Sequence, residues 1–234
     1  MLDPRIDGDA FLEAVRPALS RCDAPALAHA VKSRWRTRDV TSMLRHDNIE
    51  VRRVAAMALG LIGDMSCVGP LTRALHDDDW QVNELAENAL WSIWFRSGNP
   101  QASRPFCQGV SLMAGEKYDQ AIEAFHEATR LDPQFAEAYN QCAIAHFLLS
   151  QWRAAIADNR RAIELVPCHF GAFAGLGHTY VELGDLERAV ECYRRALRIN
   201  PRMHAISQAL QSLEITLRER RDSSGMYSID RIEF

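Results

Sequence analysis

The sequence lacks the long apolar segments that a membrane-spanning helix requires. No window holds about eighteen consecutive uncharged apolar residues. The acidic and polar residues 1–9 have no basic stretch followed by an apolar one, as a secretory signal would have. The formal net charge is only -4, with a pI near 6.1, which gives no electrostatic reason to expect nucleic acid as a partner. We therefore expect a cytoplasmic protein that binds neither membranes nor nucleic acid.

Motifs that carry chemistry are missing as well. There is no H-E-x-x-H pair of metal ligands, no C-x-x-C pair and no G-x-S-x-G nucleophile turn. Cys142 and His146 share one helix face, and this spacing is more typical of a packed core pair than of a nucleophile and its base. The only His-Glu dipeptide begins at His126 and has no equivalent partner. The sequence predicts no enzyme activity, no cofactor and no metal ion.

What the sequence does contain is internal repetition. Pro133, Pro167 and Pro201 are 34 residues apart. Two columns of alanines keep the same spacing, namely Ala121, Ala155 and Ala189, and Ala128, Ala162 and Ala196. A proline cannot continue a helix, so each one marks the turn into the next unit, and small alanines suit places where two helices approach closely. The pattern predicts three consecutive helical hairpins.

These columns resemble the tetratricopeptide repeat family, whose 34-residue hairpins have small, aromatic and proline residues at fixed positions. The third unit, from Phe170 to about Met203, fits best. The second unit departs at Cys142 and His146, and it has Asn159 where an aromatic residue is usual. The resemblance implies an α-helical repeat structure that binds other proteins.

The two ends of the repeat array differ from its middle. The first unit departs most, because Pro105 and Gln108 replace the usual aromatic residue and leucine, and we expect its first helix to be irregular at its start. After the third unit, apolar residues at helical spacing between Met203 and Arg220 predict a capping helix. The polar residues 221–234 predict a flexible tail.

A shorter period occupies the N-terminal part of the chain. Nine residues recur 31 positions later, with pairs such as Val40 and Leu71, or Leu59 and Leu90. They resemble two HEAT-like repeats of the short kind also found in bilin lyase-type proteins. The acidic turns Asp47-Asn48 and Asp77-Asp78-Asp79 are predicted to cap the helices that follow them. Residues 9 to 33 look helical and are predicted to form either a degenerate third unit or an N-terminal cap.

The whole pattern predicts an all-α fold, an α-solenoid in which HEAT-like hairpins precede three tetratricopeptide hairpins and a C-terminal capping helix. Residues 1–97 form the HEAT-like part with its N-terminal helical cap, residues 102–220 the three tetratricopeptide repeats with the capping helix, and residues 221–234 the tail. Arg160-Arg161 and Arg194-Arg195 occupy the same column of successive repeats and are predicted to form a basic, solvated strip on the outer side.

The resemblance also implies a binding groove, which in tetratricopeptide arrays is lined by the first helix of each hairpin. The corresponding residues are Phe106, Val110, Met113, Asn140, Gln141, Ile144, Phe147, Ala174, His178 and Val181. This lining is mostly apolar and lacks the lysines with which some repeats clamp a terminal carboxylate. We therefore expect a non-catalytic scaffold that binds an apolar or amphipathic peptide, with Asn140 and Gln141 hydrogen-bonding its backbone.

Two alternatives stay open at this point. The HEAT-like half also fits an accessory or chaperone-like subunit of an enzyme such as a lyase. The tail has an apolar content that fits occupation of the groove by the same chain, or self-association into a homo-oligomer, through Tyr227, Ile229, Ile232 and Phe234. A repeat fold alone does not choose among these functions.

Overall fold

The computed structural model describes the backbone of residues 7–229 and the side chains of residues 7–220. Within these residues the chain forms thirteen α-helices and one short 3-10 helix, with no β-strand. The fold class is therefore all-α and of the α-solenoid type, as predicted. The chain divides into two compact units between Gly98 and Asn99.

The first unit contains two helices followed by two helical hairpins. The helical expectation for residues 9–33 is confirmed, and so are two predicted caps. Asn48 Oδ1 accepts from the backbone N–H of Glu50, and Asp79 Oδ1 accepts from that of Val82. The helices are α1 (Gly8–Ser20), α2 (Ala24–Lys32), α3 (Thr37–Met43), α4 (Ile49–Ile62), α5 (Val68–Ala74) and α6 (Trp80–Phe95), with the 3-10 helix at Met65–Cys67.

Two adjacent arginines of α4 tie the hairpins of the first unit together. Arg52 donates from Nε and Nη2 to the two carboxylate oxygens of Asp77, at 2.9 and 3.0 Å. Arg53 contacts Asp79 in the same way, at 2.9 and 2.7 Å, and this contact lowers the pKa of Asp79 to about 2. The acidic turn before α6 therefore serves both as a helix cap and as the partner of these arginines.

The second unit consists of three helical hairpins and one long helix. Its helices are α7 (Pro100–Ala114), α8 (Tyr118–Leu131), α9 (Ala136–Leu148), α10 (Trp152–Leu165), α11 (Phe170–Glu182), α12 (Leu186–Ile199) and α13 (His204–Ile229). The six column alanines are all fully buried, at 0% exposure. Their burial agrees with the close helix approach that their small size predicts.

Both ends of this unit differ in detail from the sequence prediction. The expected irregularity at the start of the first repeat is wrong, because α7 begins at Pro100 and runs through Pro105 without a break. The side chain of Asn99 accepts from the N–H of Ala102 at 2.9 Å and fixes this earlier start. At the other end, α13 continues beyond Arg220 to Ile229, so the predicted tail lies partly in this helix and partly outside the described residues.

The turn inside each hairpin of the second unit contains one residue with a left-handed backbone. Glu116, Ser150 and Gly184 have φ values of 56°, 58° and 73°, and they are 34 residues apart. Only the third hairpin has glycine there, the residue that adopts this conformation without steric cost. The first and second hairpins thus have the same left-handed turn conformation as the third, although neither has glycine at this position.

Two glycines allow the helices of the first and third hairpins to pack closely. A Cβ on Gly109 would lie 2.5 Å from Phe125, and a Cβ on Gly177 would overlap the ring of Tyr193. The second hairpin has Asn159 in place of the aromatic ring and Ala143 in place of the glycine. A smaller residue on one helix is therefore matched by a larger one on its neighbour.

Candidate functional site

The ten predicted groove residues lie on α7, α9 and α11, the first helices of the three hairpins. Three of them, Phe106, Asn140 and Ala174, are buried, and Phe106 packs against the rings of Phe125 and Phe135. The other seven are partly or well exposed, namely Val110, Met113, Gln141, Ile144, Phe147, His178 and Val181. The surface that a ligand can reach is therefore narrower than the predicted set.

The most exposed apolar part of this surface is on α9. Ile144 is 38% exposed and Leu148, one turn further along, is 47% exposed. Phe147 beside them is half-buried, and its ring packs edge-on against Trp152 at 5.2 Å between centroids. Leu148 was absent from the predicted set, although it lies four residues after Ile144 and so on the same face. The middle repeat thus presents a continuous apolar stripe to solvent.

A buried polar network lies next to this stripe and engages the two predicted amides. Glu137 Oε1 accepts from Asn140 Nδ2 at 3.2 Å and from Gln141 Nε2 at 2.7 Å. Glu137 Oε2 lies 2.9 Å from Nε2 of His169, whose Nδ1 accepts from the backbone N–H of Ala172. Since Asn140 is buried, the amide oxygen of the partly exposed Gln141 is the group of this pair that remains for a ligand.

His178 lies at the far side of the same surface, on α11. Its Nδ1 is 2.7 Å from the hydroxyl of Tyr193, and the two rings meet edge-on at 5.4 Å. Burial lowers the pKa of His178 below its usual range, with Glu182 acting weakly in the opposite direction, and burial raises the pKa of Tyr193 to about 12. The lowered pKa favours the neutral form of His178, so this residue mainly adds an aromatic edge to the surface.

A second polar group lies between α8, α9 and α10, and sequence reasoning missed it. One ligand-type atom from each of His126, Cys142, His146 and Asp158 lies within 4.8 Å of the others. Cys142 and His146 are buried, as expected for a packed pair, whereas His126 is exposed. Burial raises the pKa of both the Cys142 thiol and the Asp158 carboxyl. The sequence feature that could have indicated this cluster is the departure of the second repeat from the family pattern at Cys142 and His146.

The four arginines of the predicted basic strip all contact other side chains. Arg160 donates to the Tyr180 hydroxyl at 2.8 Å, and Arg194 donates to Glu214 at 2.6 Å. Arg161 and Arg195 lie over the rings of Tyr139 and Phe173, at 5.9 and 5.8 Å from the centroids. Each guanidinium is thus engaged within the unit, which leaves fewer of its donors for an anionic ligand.

The stacked hairpins and their repeated columns define the class of this molecule, an α-helical repeat protein. More particularly, residues 37–111 match the family model for HEAT repeats, residues 109–150 match a model for the TPR repeat, and residues 171–203 match the model for the tetratricopeptide repeat. The chain therefore carries both HEAT and tetratricopeptide repeats, with the HEAT match N-terminal to the others.

Several known proteins are similar to this chain. Protein bimA of Emericella nidulans is 31% identical over 150 residues, which is 64% of this chain and 18% of bimA. The small glutamine-rich tetratricopeptide repeat-containing protein 2 of Saccharomyces cerevisiae is 34% identical over 92 residues, covering 39% of this chain and 27% of that protein. The chain thus matches less than a third of the length of either relative.

Among solved structures, the Sgt2 TPR domain from Aspergillus fumigatus is similar with a TM-score of 0.51 and 20% identity, covering 53% of this chain and 84% of that one. At this identity the likeness concerns the fold alone. Among the helices that the structure describes, none is both long enough and apolar enough to cross a membrane.

Proposed function

We propose that this protein is a non-catalytic adaptor that binds an apolar or amphipathic segment of a partner protein on the inner face of its tetratricopeptide unit. The observation that carries this proposal is the exposed stripe on α9, where Ile144 and Leu148 are 38% and 47% open to solvent. Large apolar side chains one turn apart, on the helix that lines the groove in this family, are the kind of surface that buries an apolar partner.

The chemistry of the predicted lining favours an apolar partner over an acidic one. None of the ten lining residues is a lysine or an arginine, and the one titratable group among them, His178, has a pKa lowered by burial. A partner carboxylate placed here would lose its hydration without gaining a counter-charge. The amide of Gln141, which is partly exposed, still offers its oxygen, which can accept a hydrogen bond from the backbone of an extended segment.

Selection of a random peptide library on the purified full-length protein tests this function. We expect the selected peptides to be rich in large apolar residues, and Ile144→Asp and Leu148→Asp each to weaken their binding at least about tenfold, because a buried unpaired carboxylate costs more than 1.4 kcal/mol. Phe147→Asp is less suitable, because this ring also packs on Trp152 inside the protein.

The control variant is Leu61→Asp, since Leu61 is also 38% exposed but belongs to the first unit. It should leave peptide binding unchanged, and circular dichroism should show that all three variants keep their helical content. Equal binding of the selected peptides to the parent, Ile144→Asp and Leu148→Asp would reject the α9 stripe as the binding surface.

A further inference from the structure

We propose that His126, Cys142, His146 and Asp158 form a structural Zn²⁺ site between the first and second tetratricopeptide hairpins. The four residues come from three helices, with His126 on α8, Cys142 and His146 on α9, and Asp158 on α10. Their ligand-type atoms all lie within 4.8 Å of one another. A metal held there would join these three helices directly.

The arrangement needs little change to accommodate a tetrahedral ion. Zn–N and Zn–O bonds of about 2.0–2.1 Å and a Zn–S bond of about 2.3 Å place the four donors of a tetrahedral site about 3.3–3.6 Å apart. The Nε2 of His146 and the Oδ2 of Asp158 are already 3.6 Å apart. No pair of these atoms is farther apart than 4.8 Å, so no pair has to close by more than about 1.5 Å.

The hydrogen bond made by Nδ1 of His146 orients the imidazole ring for metal binding. His146 Nδ1 lies 2.6 Å from Oε1 of Gln151. An amide oxygen only accepts, so Nδ1–H donates to Gln151, and Nε2 is the ring nitrogen that faces Asp158 and can bind an ion in exchange for any proton it carries. This is the usual arrangement of a metal-binding histidine, in which one nitrogen donates to a supporting group and the other faces the ion.

Nε2 of His146 faces the carboxyl group of Asp158, 3.6 Å from its Oδ2. This Oδ2 atom is buried and has no hydrogen-bond partner among the described residues, and the Cys142 thiol lies beside the same carboxyl group. A cation between the imidazole, the thiol and the carboxyl group would stabilise all three. The adjacent Cys142 thiol, 1% exposed, completes a buried group that a cation would stabilise.

The ligand types favour zinc over Mg²⁺ and Ca²⁺. Two imidazoles and a thiol are poor ligands for Mg²⁺ and Ca²⁺, which prefer oxygen, but they suit Zn²⁺ well. On binding, the Cys142 S–H bond breaks and its proton leaves to solvent, while the sulfur lone pair forms the bond to zinc. The Cys142 thiolate and the Asp158 carboxylate then neutralise the two positive charges. Four protein ligands leave no open position, so the site is structural rather than catalytic.

Cobalt substitution in the full-length protein tests this proposal. The protein is freed of metal by a chelator, and Cys22 and Cys107, the two exposed cysteines, are replaced by serine to remove background thiols. We expect one equivalent of Co²⁺ to bind with the visible bands of a tetrahedral ion and with a thiolate charge-transfer band. One equivalent of Zn²⁺ should displace it and remove both signals.

Three variants separate metal binding from folding. The double variant Cys142→Leu and His146→Tyr installs the residues that the third repeat has at these positions, Leu176 and Tyr180, so it should fold and give no cobalt bands. Gln151→Ala should weaken metal affinity about 10- to 100-fold, because it removes only the group that orients His146. Cys192→Ala, in the equivalent position to Asp158 one repeat later, should change nothing.

Two results would overturn the proposal. One is the absence of stoichiometric Zn²⁺ or Co²⁺ binding by the folded parent, which would leave the four residues as a hydrogen-bonded polar core with a proton in place of the ion. The other is a cobalt spectrum that persists in the folded double variant, which would place the metal elsewhere in the chain.

Discussion

The second and third repeats have different kinds of side chains at four equivalent helical positions. Moving the cluster of His126, Cys142, His146 and Asp158 by one period of 34 residues leads to the equivalent positions Arg160, Leu176, Tyr180 and Cys192. There the guanidinium of Arg160 donates to the Tyr180 hydroxyl at 2.8 Å, and Leu176 and Tyr180 belong to an apolar cluster against which Cys192 packs. One interface is therefore a set of potential metal ligands and the other is an ordinary repeat core.

The proposed metal site would require no change in the backbone of the repeat. Both interfaces lie between the same kinds of helices, and the turn residues Ser150 and Gly184 have nearly the same φ, 58° and 73°. The departures of the second repeat from its family pattern are therefore substitutions within a conserved frame. Polar side chains that come together in a buried place need hydrogen-bond partners or a bound ion, because unpaired buried polar groups are costly.

The largest expected effect comes from zinc itself, and it rests on the proposed site. At a free Zn²⁺ concentration of 100 times Kd, the parent protein should gain about 2.7 kcal/mol in free energy of unfolding, because only the folded chain assembles the four ligands. The double variant Cys142→Leu and His146→Tyr should gain nothing from the same zinc. Urea unfolding with and without zinc, followed by circular dichroism, measures both values. A similar gain in both proteins would remove the distinction between the two interfaces.

A somewhat smaller effect is expected from the close helix packing. Gly177→Ala should lower the free energy of unfolding by about 1–3 kcal/mol, because the added methyl group overlaps the ring of Tyr193. Ala143→Gly, at the same position of the second repeat, should cost only about 0.5–1 kcal/mol, the entropic penalty of glycine in a helix. Trp152, the one tryptophan of the second unit, reports the unfolding by fluorescence.

Gly109→Ala tests the same close packing of a glycine against an aromatic ring, in the first hairpin. Its Cβ would lie 2.5 Å from the ring of Phe125, so its effect should resemble that of Gly177→Ala rather than that of Ala143→Gly. If all three substitutions changed stability equally, the facing aromatic ring would not be the reason for the glycine.

The smallest expected effect concerns the left-handed turn residues. Gly184→Ala should destabilise the protein by about 1–2 kcal/mol through its backbone alone, since a Cβ at this position meets no atom within 4 Å. Ser150→Gly, the reverse change in the second repeat, should stabilise it by up to about 1 kcal/mol, because part of the relief is lost to the greater freedom of glycine in the unfolded chain. Thermal unfolding of the two variants beside the parent gives the signs. Shifts in the same direction would contradict a shared left-handed geometry.

Much of the fold was predictable from local patterns. The proline and alanine columns predicted the three hairpins, and the six column alanines are indeed fully buried. The acidic turns predicted the caps at Asn48 and Asp79, because capping depends on residues only a few positions apart. The predicted irregularity at the start of the first repeat rested on Pro105, which lies inside a continuous helix. Asn99 and Pro100 set the start of α7 instead.

The sites were less predictable because they depend on contacts between helices. The pattern placed Phe106 and Asn140 in the groove lining, but neighbouring side chains cover both, and Glu137 engages the amide of Asn140. The pattern showed that Cys142 and His146 lie on one face, but it could not show that His126 from the previous hairpin and Asp158 from the next helix meet them there.

The sequence by itself determined the all-helical fold, the repeat boundaries and the small residues at helix crossings, because periodic apolar, proline and alanine positions act through neighbours along one helix or one hairpin. Only the tertiary structure decided which side chains remain open to solvent and which ligand-type residues meet. Exposure and coordination depend on distances across three helices, and those distances are set by packing rather than by spacing along the chain.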